Sequence, residues 1–138
     1  MKKTRVASLD YGLKRIGVAI SDENKIIATS LGVVQAGTTS AETIKKIIAL
    51  LKPYELERII IGNPIHLSGK VGFLADEVKH FLTLLQAQVS CEVTLFDERL
   101  SSVQAERSLK EGGMRRKQRA KVIDAVSAVI LLQCFLGY

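Results

Sequence analysis

Short apolar runs and polar turns alternate along the first part of the chain. The segment 4–10 is a β-rich run that ends in an acid, and a glycine turn breaks it. The segment 15–21 is typical of a strand that returns antiparallel in a hairpin, and 25–36 predicts a third strand with an irregularity at Gly32. The pattern therefore predicts a three-stranded antiparallel meander.

The spacing of apolar residues then changes to that of helices. It predicts a first helix over 41–51, with Ser40 as its N-cap and Pro53 just past its end. The remaining predicted elements are strands at 58–62 and 91–96, helices at 71–85, 101–110 and 122–136, and a loop or frayed helix end at 110–121. Helical crossovers join parallel strands, so the fourth and fifth strands should lie parallel to the first. We expect one α/β domain over 1–138, with a mixed five-stranded sheet and helices on its faces.

The composition favours a nucleic-acid partner over a membrane. The 138 residues carry 20 Lys and Arg against 14 Asp and Glu, a formal net charge of +6, and a basic domain suits an anionic partner. No apolar stretch is long enough to cross a bilayer comfortably, and the N-terminus has no signal-peptide pattern. Cys91 and Cys134 fit neither a disulfide framework nor a zinc site, so we expect both to be buried thiols in the cytoplasm.

Three acidic positions stand out from their surroundings. Asp10 ends the first strand, where it is either an Asx-turn residue or a functional group. Asp97 and Glu98 end the fifth strand and precede Arg99, which offers them a strand-end salt bridge. Asp124 lies in a helix that is apolar nearly all round, where an unpaired carboxylate costs several kcal/mol. If the helix began only near residue 124, Asp124 would instead be an N-cap or first-turn residue.

The expected sheet brings these acids together. The carboxyl ends of parallel strands face one crevice, and a terminal helix packed on that side can deliver Asp124 to it. Carboxylates that converge repel one another unless a divalent cation neutralises them, and oxygen-only ligands suit Mg²⁺ or Mn²⁺ rather than zinc. Two such ions about 3.5–4 Å apart can clamp the attacking and leaving oxygens of a phosphodiester. The acids therefore point to metal-dependent hydrolysis of phosphodiesters.

A basic stretch directly precedes the last helix. Residues 110–121 carry six Lys and Arg and one acid, and the resulting net charge of +5 accounts for most of the +6 of the chain. Such a stretch is either a solvated loop or a grip on a phosphate backbone. Lys14 and Arg15, beside the Asp10 turn, are candidates for the same role. The few aromatic residues are scattered, so recognition by base stacking is not expected.

Four segments resemble the motifs of one family. They are LDYGLKRIGVAISD (9–22), IGNPIHLSGKVG (61–72), DERLSSVQAERSL (97–109) and KVIDAVSAVILLQ (121–133). In this order and spacing they resemble the YqgF/RuvX family of Holliday junction resolvases over essentially the whole chain. Asn63 and Ser68 depart from the family pattern in the second segment, which matches less closely.

The resemblance implies an RNase H-like fold with strand order 3-2-1-4-5 and a two-metal endonuclease. Carried over by position, it implies Asp10, Glu98 and Asp124 as the catalytic and metal-binding acids. Asp97 is the alternative for the middle acid, because strand alternation turns only one of the pair towards the crevice. Asp10 would bridge two Mg²⁺ or Mn²⁺ ions, one activating a water and the other stabilising the leaving 3′ oxygen. The residues expected to position the substrate are Lys14, Arg15, Arg99, Arg115, Arg116, Lys117 and Arg119.

The sequence leaves the substrate and the oligomeric state open. The resemblance implies either maturation of the 5′ end of the 16S rRNA precursor, which we favour, or resolution of branched DNA. Symmetric cutting of a four-way junction would call for a dimer. A non-catalytic nucleic-acid-binding module would keep the basic stretch without needing all three acids. Sugar kinases and actin-like ATPases also place an Asp-x-Gly turn after the first strand, but they need two such domains and the chain has length for one.

Overall fold

The structure of the chain is a computed structural model that describes residues 3–63, 71–97 and 116–137, with the backbone alone at 63, 71–75, 97 and 116–124. The strands are β1 Arg5–Asp10, β2 Arg15–Ser21, β3 Ala28–Gln35, β4 Leu56–Asn63 and β5 Glu92–Asp97. The helices are α1 Ser40–Leu51, α2 Val71–Gln86 and α3 Arg116–Leu136. Within these ranges no helix has the length and apolar character to cross a membrane. The helix predicted at 101–110 lies outside the described residues.

The five strands form one mixed sheet with the order β3-β2-β1-β4-β5. β1 pairs antiparallel with β2, and β2 with β3, while β4 lies parallel to both β1 and β5. Gly32 has a φ of 127°, and the register between β2 and β3 shifts beside it, between Val18 and Ala19. The predicted meander, the parallel crossovers, the strand order and the irregularity at Gly32 are therefore confirmed.

Helices cover both faces of the sheet, as predicted. Ala7 and Leu9 of β1 belong to a buried cluster with apolar residues of α1 and α2. Val6 belongs to a second cluster with apolar residues of α3, and the hydroxyl of Ser8 donates a hydrogen bond to the backbone of that helix. Alternate residues of a strand point to opposite faces. Asp10, the next even-numbered residue, therefore lies on the face that α3 covers.

α3 is longer than the sequence pattern indicated. It begins at Arg116 rather than at residue 122. The segment 116–121 consists mainly of strong helix formers, which extend the helix without an apolar pattern. The prediction of a loop or frayed end is therefore wrong for these residues. Asp124 is the ninth residue of the helix, so the N-cap or first-turn alternative is also wrong.

The turn between β2 and β3 shortens the third strand relative to the prediction. β3 begins at Ala28 rather than at Lys25, which has a φ of 59°. The carboxylate of Asp22 accepts hydrogen bonds from the backbone N–H of Ile26 at 2.7 Å and of Ile27 at 2.9 Å. These bonds hold both isoleucines in the turn with their side chains exposed. The same bonds keep the pKa of Asp22 below its usual value, because they favour the charged carboxylate.

α1 is capped one residue earlier than predicted. The N-cap is Thr39 rather than Ser40, and its hydroxyl accepts the N–H of Glu42. The Glu42 carboxylate in turn accepts the N–H of Thr38 at 2.9 Å, one residue before the N–H of the N-cap that a capping box would use. The helix ends before Pro53, as predicted.

The two cysteines differ in exposure. Cys91 is half-buried just before β5, and burial raises the pKa of its thiol. Cys134 is exposed, so the prediction that both thiols are buried is wrong. Only one stripe of α3 faces the sheet, and Cys134 lies about a quarter of a turn away from the centre of that stripe.

Candidate active site

Asp10 ends the central strand between two glycines. Its antiparallel partner on β2 is Gly17, and the parallel pairing of β1 with β4 ends at Leu9 and Ile61, one residue before Gly62. Residues paired across a sheet share a face, and both glycines lack a side chain. Asp10 is only 9% exposed. It therefore lies nearly buried at the carboxyl end of β1, on the face of α3.

A hydrogen bond between β1 and α3 fixes the helix over this part of the sheet. The hydroxyl of Ser8 donates to the backbone oxygen of Ala128 at 2.7 Å, and both residues are fully buried. Ser8 precedes Asp10 by one strand repeat, roughly 6.6 Å. Ala128 follows Asp124 by about one helical turn, roughly 6 Å of rise. The contact therefore joins the two short segments that carry the predicted acids.

The N-terminal half of α3 extends towards the carboxyl ends of the parallel strands. Arg58, near the start of β4, lies over the ring of Phe135 near the end of the helix, with its guanidinium carbon 6.0 Å from the ring centroid. Ala128, farther back along the helix, contacts the middle of β1. The turns that precede Ala128, including position 124, therefore run towards the end of β1 that carries Asp10.

Helical geometry gives the side of α3 on which position 124 lies. The fully buried residues among those with described side chains are Ser127, Ala128, Leu131 and Leu132. At 100° per residue, position 124 lies about 10° from the mean direction of these four. The backbone position 124 is thus close to the centre line of this stripe, one turn beyond the contact with Ser8.

The middle acid, Glu98, lies outside the described residues. β5 alternates between the two faces up to its end. The ring of Phe96 packs edge-on against Phe135 of α3, with centroids 5.6 Å apart, whereas Leu95 packs against the cluster beneath α1 and α2. Among the described side chains, no group of three or more His, Cys, Asp or Glu is placed to hold a metal ion.

The turn after Asp10 is anchored on the opposite face of the sheet. The ring of Tyr11 lies 5.0 Å from that of Phe81 in α2. Burial, and to a lesser degree the charge of Glu77, raise the pKa of the Tyr11 phenol. A cavity of about 170 Å³ beside it reaches from Gly12 to the N-terminus of α1. Tyr11 is therefore a neutral anchor for the turn, and Asp10 lies on the other face of the sheet.

Two of the predicted basic residues flank the Asp10 turn. Lys14 is exposed and Arg15 is half-buried at the start of β2. The N–H of Ala36, just after β3, donates to the backbone oxygen of Lys14 at 2.9 Å. The backbone of the turn is thus tied to a neighbouring segment, while the ammonium of Lys14 reaches into solvent.

Further basic residues lie on the turns of α3 that precede Asp124. The eight residues of α3 before Asp124 rise about 12 Å along the helix axis. They include the cations Arg116, Lys117, Arg119 and Lys121. We call this segment, 116–121, the basic arm. The predicted substrate-binding residues Arg99 and Arg115, and residues 64–69 of the glycine loop, lie outside the described residues.

Sequence analysis missed two buried serines at the contact between β1 and α3. Ser8 and Ser127 are both fully buried. Serine occurs in strands, helices and turns alike, so the residue type carries no signal of its own. The one feature of the sequence that could have indicated them is that each serine interrupts an otherwise apolar stripe, Ser8 on β1 and Ser127 on α3.

Gly12 allows the close approach that the β1–β2 turn requires. A Cβ at this position would lie 2.6 Å from the backbone oxygen of Arg15, so Gly12→Ala must shift the turn. We expect the free energy of unfolding to fall by about 1–3 kcal/mol, as measured by chemical denaturation. Cleavage should fall as well, because Asp10 is two residues away.

The matched control for this variant is the exposed neighbour Leu13. Leu13→Ala should change the free energy of unfolding by less than about 0.5 kcal/mol. Equal losses for the Leu13 and Gly12 variants would show that the close contact does not constrain the turn.

A mixed sheet in this order, with an acid at the end of its central strand and a covering helix that carries a second acid, is the architecture of the RNase H-like class. The family model described as RuvX, Holliday junction resolvase, matches residues 4–138. The chain belongs to this family.

The similarity to curated relatives covers nearly the whole chain. A protein of Protochlamydia amoebophila, provisionally named as a pre-16S rRNA nuclease, is 48% identical over 98% of this chain and 94% of its own length. A protein of Halothermothrix orenii with the same provisional name is 42% identical over 97% of this chain and 95% of its own length.

A solved structure shares the fold. RuvC of T. thermophilus, in complex with a Holliday junction substrate, superposes with a TM-score of 0.55 at 15% identity, covering 97% of this chain and 96% of that chain. The likeness is one of architecture, and it confirms the predicted RNase H-like fold.

Proposed function

We propose that this chain is a divalent-metal-dependent endonuclease that matures the 5′ end of the 16S rRNA precursor in the cytoplasm. The proposal is carried by the nearly buried carboxylate of Asp10 at the end of the central strand, on the face of the helix that bears Asp124. The provisional names of the two relatives, at 48% and 42% identity, support RNA as the substrate.

Asp10, Glu98 and Asp124 are the residues that would hold Mg²⁺ or Mn²⁺. Their donor atoms are all carboxylate oxygens, which these hard cations prefer. Asp10 presents such oxygens, nearly buried at the end of β1 and paired with Gly17, which has no side chain, so the residues present fit such a group. When bound, divalent ions supply a water nucleophile at neutral pH and stabilise charge on the leaving oxygen.

Strand alternation supports Glu98 over Asp97 as the middle acid. Phe96 faces α3, and every second residue of a strand returns to the same face. By this alternation of the sequence, Glu98 rather than Asp97 is in phase with Phe96. Glu98→Gln should therefore impair cleavage more than Asp97→Asn.

The basic residues have the role of holding the substrate in place. Lys14 and Arg15 lie beside the end of β1 that carries Asp10, and Arg99 follows the middle acid in the sequence. The basic arm continues the helix of Asp124 beyond the sheet, and Arg115 directly precedes it. Contacts from these cations to phosphates fix the register of the strand without reading its sequence.

Cleavage should depend entirely on a divalent cation. We expect a 5′-labelled fragment of the 16S rRNA precursor to be cut in Mg²⁺ or Mn²⁺, to stay intact in EDTA, and to be cut again when either ion is restored. The physical reason is that converging carboxylates alone neither activate water nor neutralise the leaving oxygen. Gel analysis of the labelled fragment measures the result.

A binding assay in EDTA separates an enzyme from a binding module. The cations should retain part of the affinity for RNA without metal, since phosphate contacts do not need it. An RNA that is bound but left intact under every metal condition would refute the proposed activity and leave a non-catalytic module.

Resolution of branched DNA is the second candidate, supported by the description of the family. A labelled four-way junction and the rRNA precursor fragment should be tested side by side in the same buffer. Preference for the junction, with paired symmetric cuts, would assign the DNA role. Such cuts would also require a two-fold dimer, which native mass measurement would detect.

A further inference from the structure

α3 carries a buried hydroxyl, that of Ser127, for which the described residues provide no hydrogen-bond partner. Ser127 is 0% exposed, and its Oγ has no hydrogen-bond partner within the part of the chain that the structure describes. Buried hydroxyls are normally paired with protein or an ordered water, because leaving one unpaired costs free energy. Ser8, equally buried on the facing strand, donates to Ala128 at 2.7 Å. The contact between β1 and α3 thus contains one hydroxyl that is hydrogen-bonded, that of Ser8, and one that has no described partner, that of Ser127.

The Ser127 hydroxyl belongs to the helical turn after Asp124. Residues three apart on a helix are neighbours on its surface, and side chains lean towards the N-terminus of their helix. Ser127 therefore leans towards the turn that contains position 124. Ser127 also belongs to the stripe of buried residues, and the backbone position 124 lies near the centre line of that stripe.

We infer that Ser127 is a positioning residue of the carboxylate site. Its hydroxyl donates a hydrogen bond, directly or through one ordered water, to the carboxylate of Asp124, and so fixes that carboxylate for cation binding. A neutral donor suits this role, because it orients the acid without cancelling the negative charge that a cation requires. The inference rests on the proposed function, in which Asp124 is a metal ligand.

The test is Mn²⁺ binding by the full chain, measured by calorimetric titration without substrate. Ser127→Ala should weaken Mn²⁺ binding by about tenfold or more, the size of effect typical for groups that orient metal ligands. The melting temperature of this variant without metal is measured alongside, so that weaker Mn²⁺ binding is distinguished from unfolding. A serine that only supports the fold would lower the melting temperature and leave Mn²⁺ binding unchanged.

A second variant separates hydrogen bonding from volume. Ser127→Cys keeps a side chain of similar size but has only a weak donor, so it should bind Mn²⁺ as poorly as Ser127→Ala. Binding like that of the wild type would overturn the inference. Ser8→Ala, which removes a paired hydroxyl, should lower the melting temperature without metal and serves as the comparison for stability.

The titration also distinguishes the two proposals. If the wild type binds no Mn²⁺, the metal site itself is wrong and the inference falls with it. If the wild type binds Mn²⁺ and Ser127→Ala binds it equally well, only the role of Ser127 is overturned.

Discussion

Asp10→Asn is expected to abolish cleavage of the rRNA precursor while leaving the fold intact. The amide keeps the shape of the side chain but removes the charge that the proposed cations require. The loss of cleavage should exceed the roughly 10–100-fold typical for residues that only orient a metal ligand. Single-turnover cleavage in Mg²⁺ measures it, and RNA binding at low salt should change much less, because the basic residues are untouched.

A control variant distinguishes loss of this carboxylate from loss of an acid elsewhere in the sheet. Thermal unfolding of both variants checks that the fold persists. Glu92→Gln is the matched control, since it removes an acid from the other end of β5 and should leave cleavage unchanged. Full cleavage by Asp10→Asn would refute the proposed site.

Removing three charges from the basic arm should produce the second large effect, on binding. The combined variant Arg116→Gln, Lys117→Gln, Arg119→Gln keeps good helix formers in place, so α3 should persist. If each cation meets one phosphate, the slope of log affinity against log salt should fall by about one per residue, or about three in all. Filter binding across a salt series measures that slope.

The control is a second triple variant that has the same net charge as the variant in the basic arm. Lys45→Gln, Lys52→Gln, Lys79→Gln changes three exposed lysines on or next to α1 and α2. Both triple variants lower the formal net charge from +6 to +3. Only the variant in the basic arm should show the smaller slope of log affinity against log salt. Equal losses in both would show that the overall charge, and not the position of the arm, governs binding.

The spacing of apolar residues predicted the sheet correctly because burial of those residues determines the conformation of its strands and of the helices that connect them. The alternation of the meander and the helical spacing over 41–51 and 71–85 both match the structure, and so does the order of the strands. The errors occur where burial does not set the conformation. Ile26 and Ile27 are apolar, yet the Asp22 carboxylate holds them in a turn. Residues 116–121 are polar, yet helix propensity extends α3 through them.

The sequence allowed prediction of those site residues whose charge is unusual for their position. Asp10 at a strand end and Asp124 in an apolar helix are conspicuous because isolated acids are costly there, and the structure puts both positions on the α3 face of the sheet. Ser8 and Ser127 are not conspicuous in this way, because a serine has no charge whose burial would be costly. Their importance follows only from the contact between β1 and α3, which joins residues 120 positions apart.

That separation has a consequence for how the protein is made. A nascent chain that has emerged from the ribosome through α2 contains Asp10 and most of the sheet, but not the helix that bears Asp124. Under the proposed function, such an intermediate is inert towards RNA. Activity is then expected only after the last helix has been made and has packed against β1.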